Sequence, residues 1–490
     1  MTGTTVIKNA DWVVGWDATT GGHKYIRNGD VVFSGEGITF VGKNYSADAD
    51  TTIDGRGLMI LPGTLSLHAH AYVEIHGKGF WEDLASKQLW MSQLYEYSTL
   101  FQLVDDETAR PATQAGICEL LRSGCTTFAE LYCPPRPPFP GWIDTLAESG
   151  IRAYPCPMVQ SGAWYTTDGT DVRYRWFEED AVERSFQASL EIIDEANGHD
   201  SGRLRGMVGA TQIDTCSPEL IKKLFKAAEE RDVPFQVHAS QSVFEFREMV
   251  RRHNMTPLEW LDSLGVLGPS TIIGHGINID GHPWVDFHTQ YTPDSDLNRL
   301  ARTETSVAHS ARAFAQWGDA MHSLGGYRAA GVNMALGTDS YPLDLIEEMR
   351  IAALMSKVAS GHVDLLKTGD VFEIATLGAA KALNRNDLGR LAPGAKADIV
   401  LVDLKHPTLR PVRDPIKCLI HSGTSDAVRD VYVDGNLVVS DRKVLTIDQD
   451  AALDAVQAGQ DRMMARMPSA DWAHRTADQI SPMSFPVEEA

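Results

Sequence analysis

The stretch LMILPGTLSLHAHA, Leu58–Ala71, decides how this chain is read. Apolar residues run almost unbroken up to two histidines that stand two positions apart. A continuous apolar run of this kind suits a strand buried on both faces, as in a parallel sheet. Residues two apart on a strand face the same side, so His68 and His70 can offer both imidazoles to one point.

Seven further runs share this texture: CTTFAELY, RAYPCPMVQ, RGMVGATQI, PFQVHAS, TIIGHG, TSVAHS and NMALGTDS. Helical patterns with apolar residues three and four apart lie between them, most clearly in ETARPATQAGICELLRSG, SPELIKKLFKAAEERD and LEWLDSLG. Strands alternating with helices signal βα units around a parallel sheet, and about eight such units close a barrel. Outside this middle the texture changes. The first sixty residues alternate short β-like runs with Gly and Asp turns, and LAPGAKADIVLVDL to VRDVYVDGNLVVSD repeats that texture near the other end. The expectation is an α/β chain: a (β/α)8 TIM barrel over 61–387, plus a small β-sandwich built from 1–60 and 388–446. A C-terminal helix and tail, 447–490, are either loose or laid on a neighbouring subunit, which points to a homo-oligomer, a dimer or higher.

Composition narrows the function. The chain has 490 residues, 43% of them hydrophobic, ample for one large and one small core. A net charge of −22 argues against nucleic acid and anionic membranes as partners and for a small-molecule substrate of little charge. The six cysteines form no C-x-x-C pair and read as buried thiols in a reducing compartment. The N-terminal segment shows no basic start followed by an apolar block, and no run is long enough to span a bilayer, so a cytoplasmic enzyme is expected.

Polar residues close five of the eight runs: His68 and His70 the first, His238 the fifth, His275 the sixth, His309 the seventh and Asp339 the eighth. C-terminal strand ends in such a barrel converge on one mouth. A lone histidine there is usually a hydrogen-bonded core residue; several aligned strand ends are not easily accidental. Three histidines and a carboxylate, His68, His70, His238 and Asp339, suit a catalytic transition-metal site. These donors accept zinc first, with iron, cobalt or manganese as other candidates.

LPGTLSLHAHA, VHASQ, IIGHG, VAHSARAFAQWG and LGTDS resemble, in order and spacing, the signatures of the amidohydrolase superfamily, closest to its cytosine deaminase and triazine hydrolase branch. The resemblance covers nearly the whole chain. It implies a distorted barrel with a mononuclear metal held by His68, His70, His238 and Asp339, and it makes His275 the histidine facing the substrate, with His309 beside it. Two-metal members carry a bridging lysine or glutamate at the end of the fourth strand. Here that end offers Gln212, so one divalent metal per subunit is expected.

Branch deaminases also have a glutamate where this chain has Gln241. That glutamate protonates a ring nitrogen, a contribution of about 10²–10⁴-fold that an amide cannot supply. The expected catalytic groups are therefore Asp339, which takes a proton from the metal-activated water, His275, which stabilises developing charge, and Gln241. An amide, urea or (thio)carbamate needs no ring protonation. VHASQSVFEFREMVRRHNMTPLEWL and HGKGFWEDLASKQLWMSQLYEYS are also similar to the molinate hydrolase and phenylurea hydrolase group. The alternative is an aminohydrolase or dechlorinase acting on a pyrimidine, purine or triazine. A non-catalytic scaffold is disfavoured because all four ligand positions are kept. His275, His309, Gln241, His76 and Trp81 are expected to contact substrate, whereas Glu74, Glu82 and Asp83 read as solvent-facing loop charges. Trp90, Tyr95, Tyr132, Phe139, Trp142, Trp164 and Tyr165 join Trp81 as candidate walls of an apolar pocket.

Overall fold

The computed structural model describes residues 3–134, 137–285 and 295–488. Eight short parallel strands carry the middle of the chain: β1 Thr64–Ala69, β2 Cys125–Tyr132, β3 Arg152–Pro157, β4 Val208–Gln212, β5 Phe235–Ala239, β6 Thr271–His275, β7 Ser306–His309 and β8 Asn333–Leu336. They pair in chain order as a three-stranded sheet, β1–β3, and a five-stranded sheet, β4–β8. Single parallel bridges span both gaps: Ala153 to Leu204 and Val159 to Ala210 on one side, Ala69 to Asp339 on the other. Nearly every residue of the eight strands is buried. That explains why their sequences run apolar instead of alternating.

The helices between them form where the local signals say they should. In Pro218–Arg231 the Ser217 hydroxyl accepts the Leu220 N–H, Pro218 opens the first turn, and Asp232 ends the helix in the left-handed region. Leu220, Ile221, Leu224, Ala227 and Ala228 form its buried face, three and four residues apart.

The opening stretch LMILPGTLSLHAHA is not one strand. Leu58–Pro62 belongs to another sheet, pairing antiparallel with Ile399–Asp403 and parallel with Thr4–Asp17. The chain crosses between the two bodies at Gly63, whose N–H donates to the Asp398 carbonyl at 3.0 Å while Thr64 N–H donates to Gly124. A Cβ at Gly63 would lie 1.9 Å from Thr126 Oγ1, so only glycine passes there. An apolar run gives no sign of this break, because both halves are buried. In place of the expected small sandwich, strands from both chain ends form a single nine-stranded sheet.

A buried ion cluster joins the two bodies at the same crossing. Arg152, on β3, donates to Asp398 at 3.2 Å and to Asp434, and Asp434 N–H donates to Asp398 Oδ1 at 2.9 Å. At the other end, helix Gln449–Ala470 lies along helix Asp106–Arg122. Gln460 donates to the carbonyls of His76 and Lys78 at 2.9 and 2.7 Å, and Trp472 and Arg475 both donate to Glu96. The C-terminal segment thus braces the first loop of its own chain. Among the described residues no helix is long and apolar enough to cross a membrane.

Removing Arg152 leaves Asp398 without its cation and Asp434 with only Lys396, at 3.8 Å. Arg152→Met is expected to lower stability by about 3–5 kcal/mol, read as a fall in the urea midpoint. Because the cluster is shielded from solvent, moderate salt should leave that difference in place.

Candidate metal centre

β1 delivers His68 and His70, β5 delivers His238 and β6 delivers His275, all buried. Asp339 follows β8 with φ 59°, a left-handed conformation that aspartate tolerates. Its N–H donates to the His68 carbonyl at 2.8 Å and its carbonyl accepts the His70 N–H at 3.0 Å, which fixes the carboxylate against β1. Asp339 Oδ1 sits 3.4 Å from Nε2 of both His68 and His70.

The far side of each ligand ring is anchored. His70 Nδ1 donates to the Leu131 carbonyl at 2.7 Å, His238 Nδ1 to the Thr211 carbonyl, and His68 Nδ1 meets Gln236 Oε1 at 2.6 Å. Carbonyl acceptors place the protons on Nδ1 and leave lone pairs on Nε2, the tautomer a metal ligand needs. Burial pushes His70 down to about 4, against the opposing charge of Asp339. Burial and the neighbouring histidines push His238 and His275 well below the usual imidazole range. The His70, His238 and His275 rings are therefore neutral at neutral pH. Ligand atoms of His68, His70 and His238, and of His68, His275 and Asp339, lie within 4.8 Å of one another in two overlapping groups. His68 Nε2 is buried without a hydrogen-bond partner. A buried, unprotonated nitrogen aimed at two more histidines and a carboxylate fits one divalent cation.

The centre forms the floor of a cavity of about 460 Å³. His70, His238, His275, Gln241 and Asp339 line it. Of the candidate aromatic walls, Trp81, Trp90, Trp164 and Tyr165 line it, while Tyr95, Tyr132, Phe139 and Trp142 do not. His309 is buried and acts electrostatically on His275, but it is not on the cavity wall.

His76 is also not brought to the cavity: its Nδ1 donates to the Val73 carbonyl at 3.1 Å within its own turn. Glu74 takes the wall position instead, accepting the Ser340 hydroxyl at 3.1 Å. Burial and the nearby Asp339 raise its carboxyl to about 8. The two residues share the tight turn Glu74–Gly77, where a spacing of two sends side chains in different directions. A loop sequence does not show which of them points inward. Glu82 accepts the Tyr341 hydroxyl at 2.9 Å off the cavity wall, and Asp83 is exposed.

Several lining or supporting groups escaped the sequence reading. Phe314 and Trp317, in VAHSARAFAQWG, line the cavity, and the Phe314 ring lies tilted against His275 with centroids 4.6 Å apart. Gln236 had a readable signal: it stands two before His238 on β5, hence on the same face.

Residues 59–438 match the sequence model of the amidohydrolase family, and the chain belongs to that family. A 5-methylthioadenosine/S-adenosylhomocysteine deaminase of Halobacterium salinarum is 28% identical over 447 residues, 90% of this chain and 95% of that one. An adenosine deaminase from Xanthomonas campestris with bound zinc superposes with a TM-score of 0.77 at 22% identity, covering 94% of this chain and 98% of its own. Atrazine chlorohydrolase from Arthrobacter aurescens complexed with zinc gives 0.77 at 23% identity, with 93% and 100% covered. The two solved structures share this chain's fold. The chain is a hydrolase acting on carbon–nitrogen bonds other than peptide bonds, with a metal-binding histidine group.

The Gln236 contact has a measurable consequence. Gln236→Leu frees the His68 ring and is expected to weaken metal affinity by about 10–100-fold, measured by chelator competition. Circular dichroism should show the fold retained.

Proposed function

We propose that this chain hydrolyses the C–N bond of a small, largely uncharged amide, urea or (thio)carbamate. The observation that carries this reading is the amide at Gln241. It lies on the cavity wall with its Nε2 donating to Gln212 Oε1, where a ring-protonating acid would be required for heteroaromatic deamination. An amide holds a fixed hydrogen bond and transfers no proton at neutral pH.

His68, His70, His238 and Asp339 would hold one divalent cation, zinc foremost. When bound, it supplies Lewis-acid polarisation of a carbonyl and activation of water. Asp339 takes a proton at its carboxylate as water adds to the carbonyl carbon, then returns it to the departing amine nitrogen. His275 donates a hydrogen bond to the oxygen that gains charge. Trp81 and the other aromatic walls exclude water and hold a planar, apolar substrate. In the same reading, 61–387 is a distorted (β/α)8 barrel, which the bridges across both sheet gaps support. Residues 1–60 with 388–446 are a second unit, 447–490 a C-terminal brace, and the protein works as a cytoplasmic homo-oligomer.

A second reading is favoured by the curated relatives, whose names include deaminases of adenine nucleosides. Their names support a purine nucleoside over a urea or carbamate. Such a reaction needs a ring acid other than residue 241, and Glu74 is a carboxyl on the cavity wall.

The two readings separate in one screen. Zinc-loaded protein is given phenylureas, thiocarbamates and adenine nucleosides in parallel, with organic amine and ammonia measured separately. The first reading expects organic amine, and a Gln241→Glu variant that is slower because a charge then sits beside the ligand. Ammonia from a nucleoside, lost in Glu74→Gln and raised by up to ~10²-fold in Gln241→Glu, would establish the second.

A further inference from the structure

Among the described residues, the cavity wall carries three carboxylates, Glu74, Asp319 and Asp339, and a single guanidinium, Arg175. Asp339 belongs to the metal centre, Glu74 is held by Ser340, and Arg175 lies over the Tyr165 ring at 5.3 Å. Asp319 has no such assignment. It stands three residues beyond the helix Ala311–Gln316 that follows β7.

The protein fixes Asp319 without neutralising it. Its N–H donates to the Phe314 carbonyl at 2.9 Å, its Oδ1 accepts the Ala320 N–H at 2.7 Å, and its Oδ2 accepts from Asn278 Nδ2 at 3.3 Å. Among the described residues, His282 is the one titratable group that acts on it electrostatically. That ring is held neutral: Nδ1 accepts the Trp284 N–H at 3.2 Å, so the proton sits on Nε2 and goes to the Ala320 carbonyl at 3.0 Å. A carboxylate drawn out of water gains from a cation beside it, and here the open side is the cavity.

The rings beside Asp319 suit the same charge. Trp284, tied to Ala320 through His282, lines the cavity with 46% of its surface exposed. Trp317, two residues before Asp319, lines it too. Indole faces attract cations, and no lysine or arginine of the described residues stands over either ring. Phe314 stands between this group and the centre, with ring centroids 4.6 Å from His275 and 5.2 Å from Trp317.

We propose that Asp319, Trp284 and Trp317 form a subsite for one cationic nitrogen, an ammonium or quaternary group, carried by the substrate on the end away from the bond that is cleaved. The inference rests on the hydrolase reading of the cavity and deepens it: an otherwise uncharged amide, urea or carbamate brings a single positive charge. The chain's net charge of −22 attracts such a molecule.

The test reads binding, not turnover, so its outcome is independent of which amine or ammonia the hydrolysis screen detects. Zinc-loaded full-length protein in 0.2 M salt is titrated by calorimetry with choline and with 3,3-dimethyl-1-butanol, a pair of the same shape that differs in charge. Choline is expected to bind about tenfold more tightly. Asp319→Asn should bring that ratio toward one with zinc content unchanged; if this variant does not fold, Trp317→Leu is read by the same ratio. Collapse of the ratio supports the subsite. Equal binding of the two probes to the unmodified protein, or a tenfold ratio retained in the variant, overturns it.

Discussion

His68 is the point on which the centre is built. Its carbonyl receives the Asp339 N–H, so the main chain of β1 sets the carboxylate. Its ring is held from β5 by Gln236 and flanked by His275 from β6 at 4.4 Å between centroids. The surrounding backbone leaves no slack. A Cβ at Gly274 would come within 2.6 Å of His68 Nδ1, and one at Gly337 within 2.4 Å of His68 Cβ. A close-packed interior transmits such constraints instead of absorbing them. One ring orientation is therefore imposed by four strands, and the donor atoms stand ready before any ion arrives.

That preorganisation has a cost that the fold carries elsewhere. Buried imidazole nitrogens of His68, His275 and His309 give up water without a hydrogen-bond partner among the described residues. The strands that hold them are compensated by apolar layers on either side and by the Arg152 cluster, which ties β3 to the nine-stranded sheet. Over the mouth, the first loop is long and carries both Glu74 and Trp81. It is stiffened from two directions. Glu130 accepts the N–H groups of Ala71 and Tyr72 at 3.2 Å, and Gln460 reaches in from the C-terminal helix. Gln212 and Gln241 share the cavity wall with the aromatic residues Trp81, Trp90, Trp164 and Tyr165.

What was legible in the sequence followed from periodicity. Each apolar run that ends in a histidine or aspartate is a strand end, because strands buried on both faces have nothing polar to display until they emerge. The convergence of His68, His70, His238, His275 and Asp339 was readable in this way, whereas the reading of Gln241 came from the family resemblance. The break at Gly63 was not, since burial in either sheet makes the same demand on Leu58–Leu67. The exchange of His76 for Glu74 was hidden too, as a single turn of loop has no period long enough to reveal its inner face.

The sequence by itself determined which donors exist and at which strand ends they emerge, because side-chain direction along a strand is fixed by local geometry. Only the tertiary structure decided which of them meet. The histidines and Asp339 are as much as 271 positions apart (339 − 68), and their distances depend on how separate strands pack. The same holds for the Gln212–Gln241 pair and for the brace from the C-terminal helix. Each is a contact between remote segments whose partner is selected by packing, a property no single stretch of the chain contains.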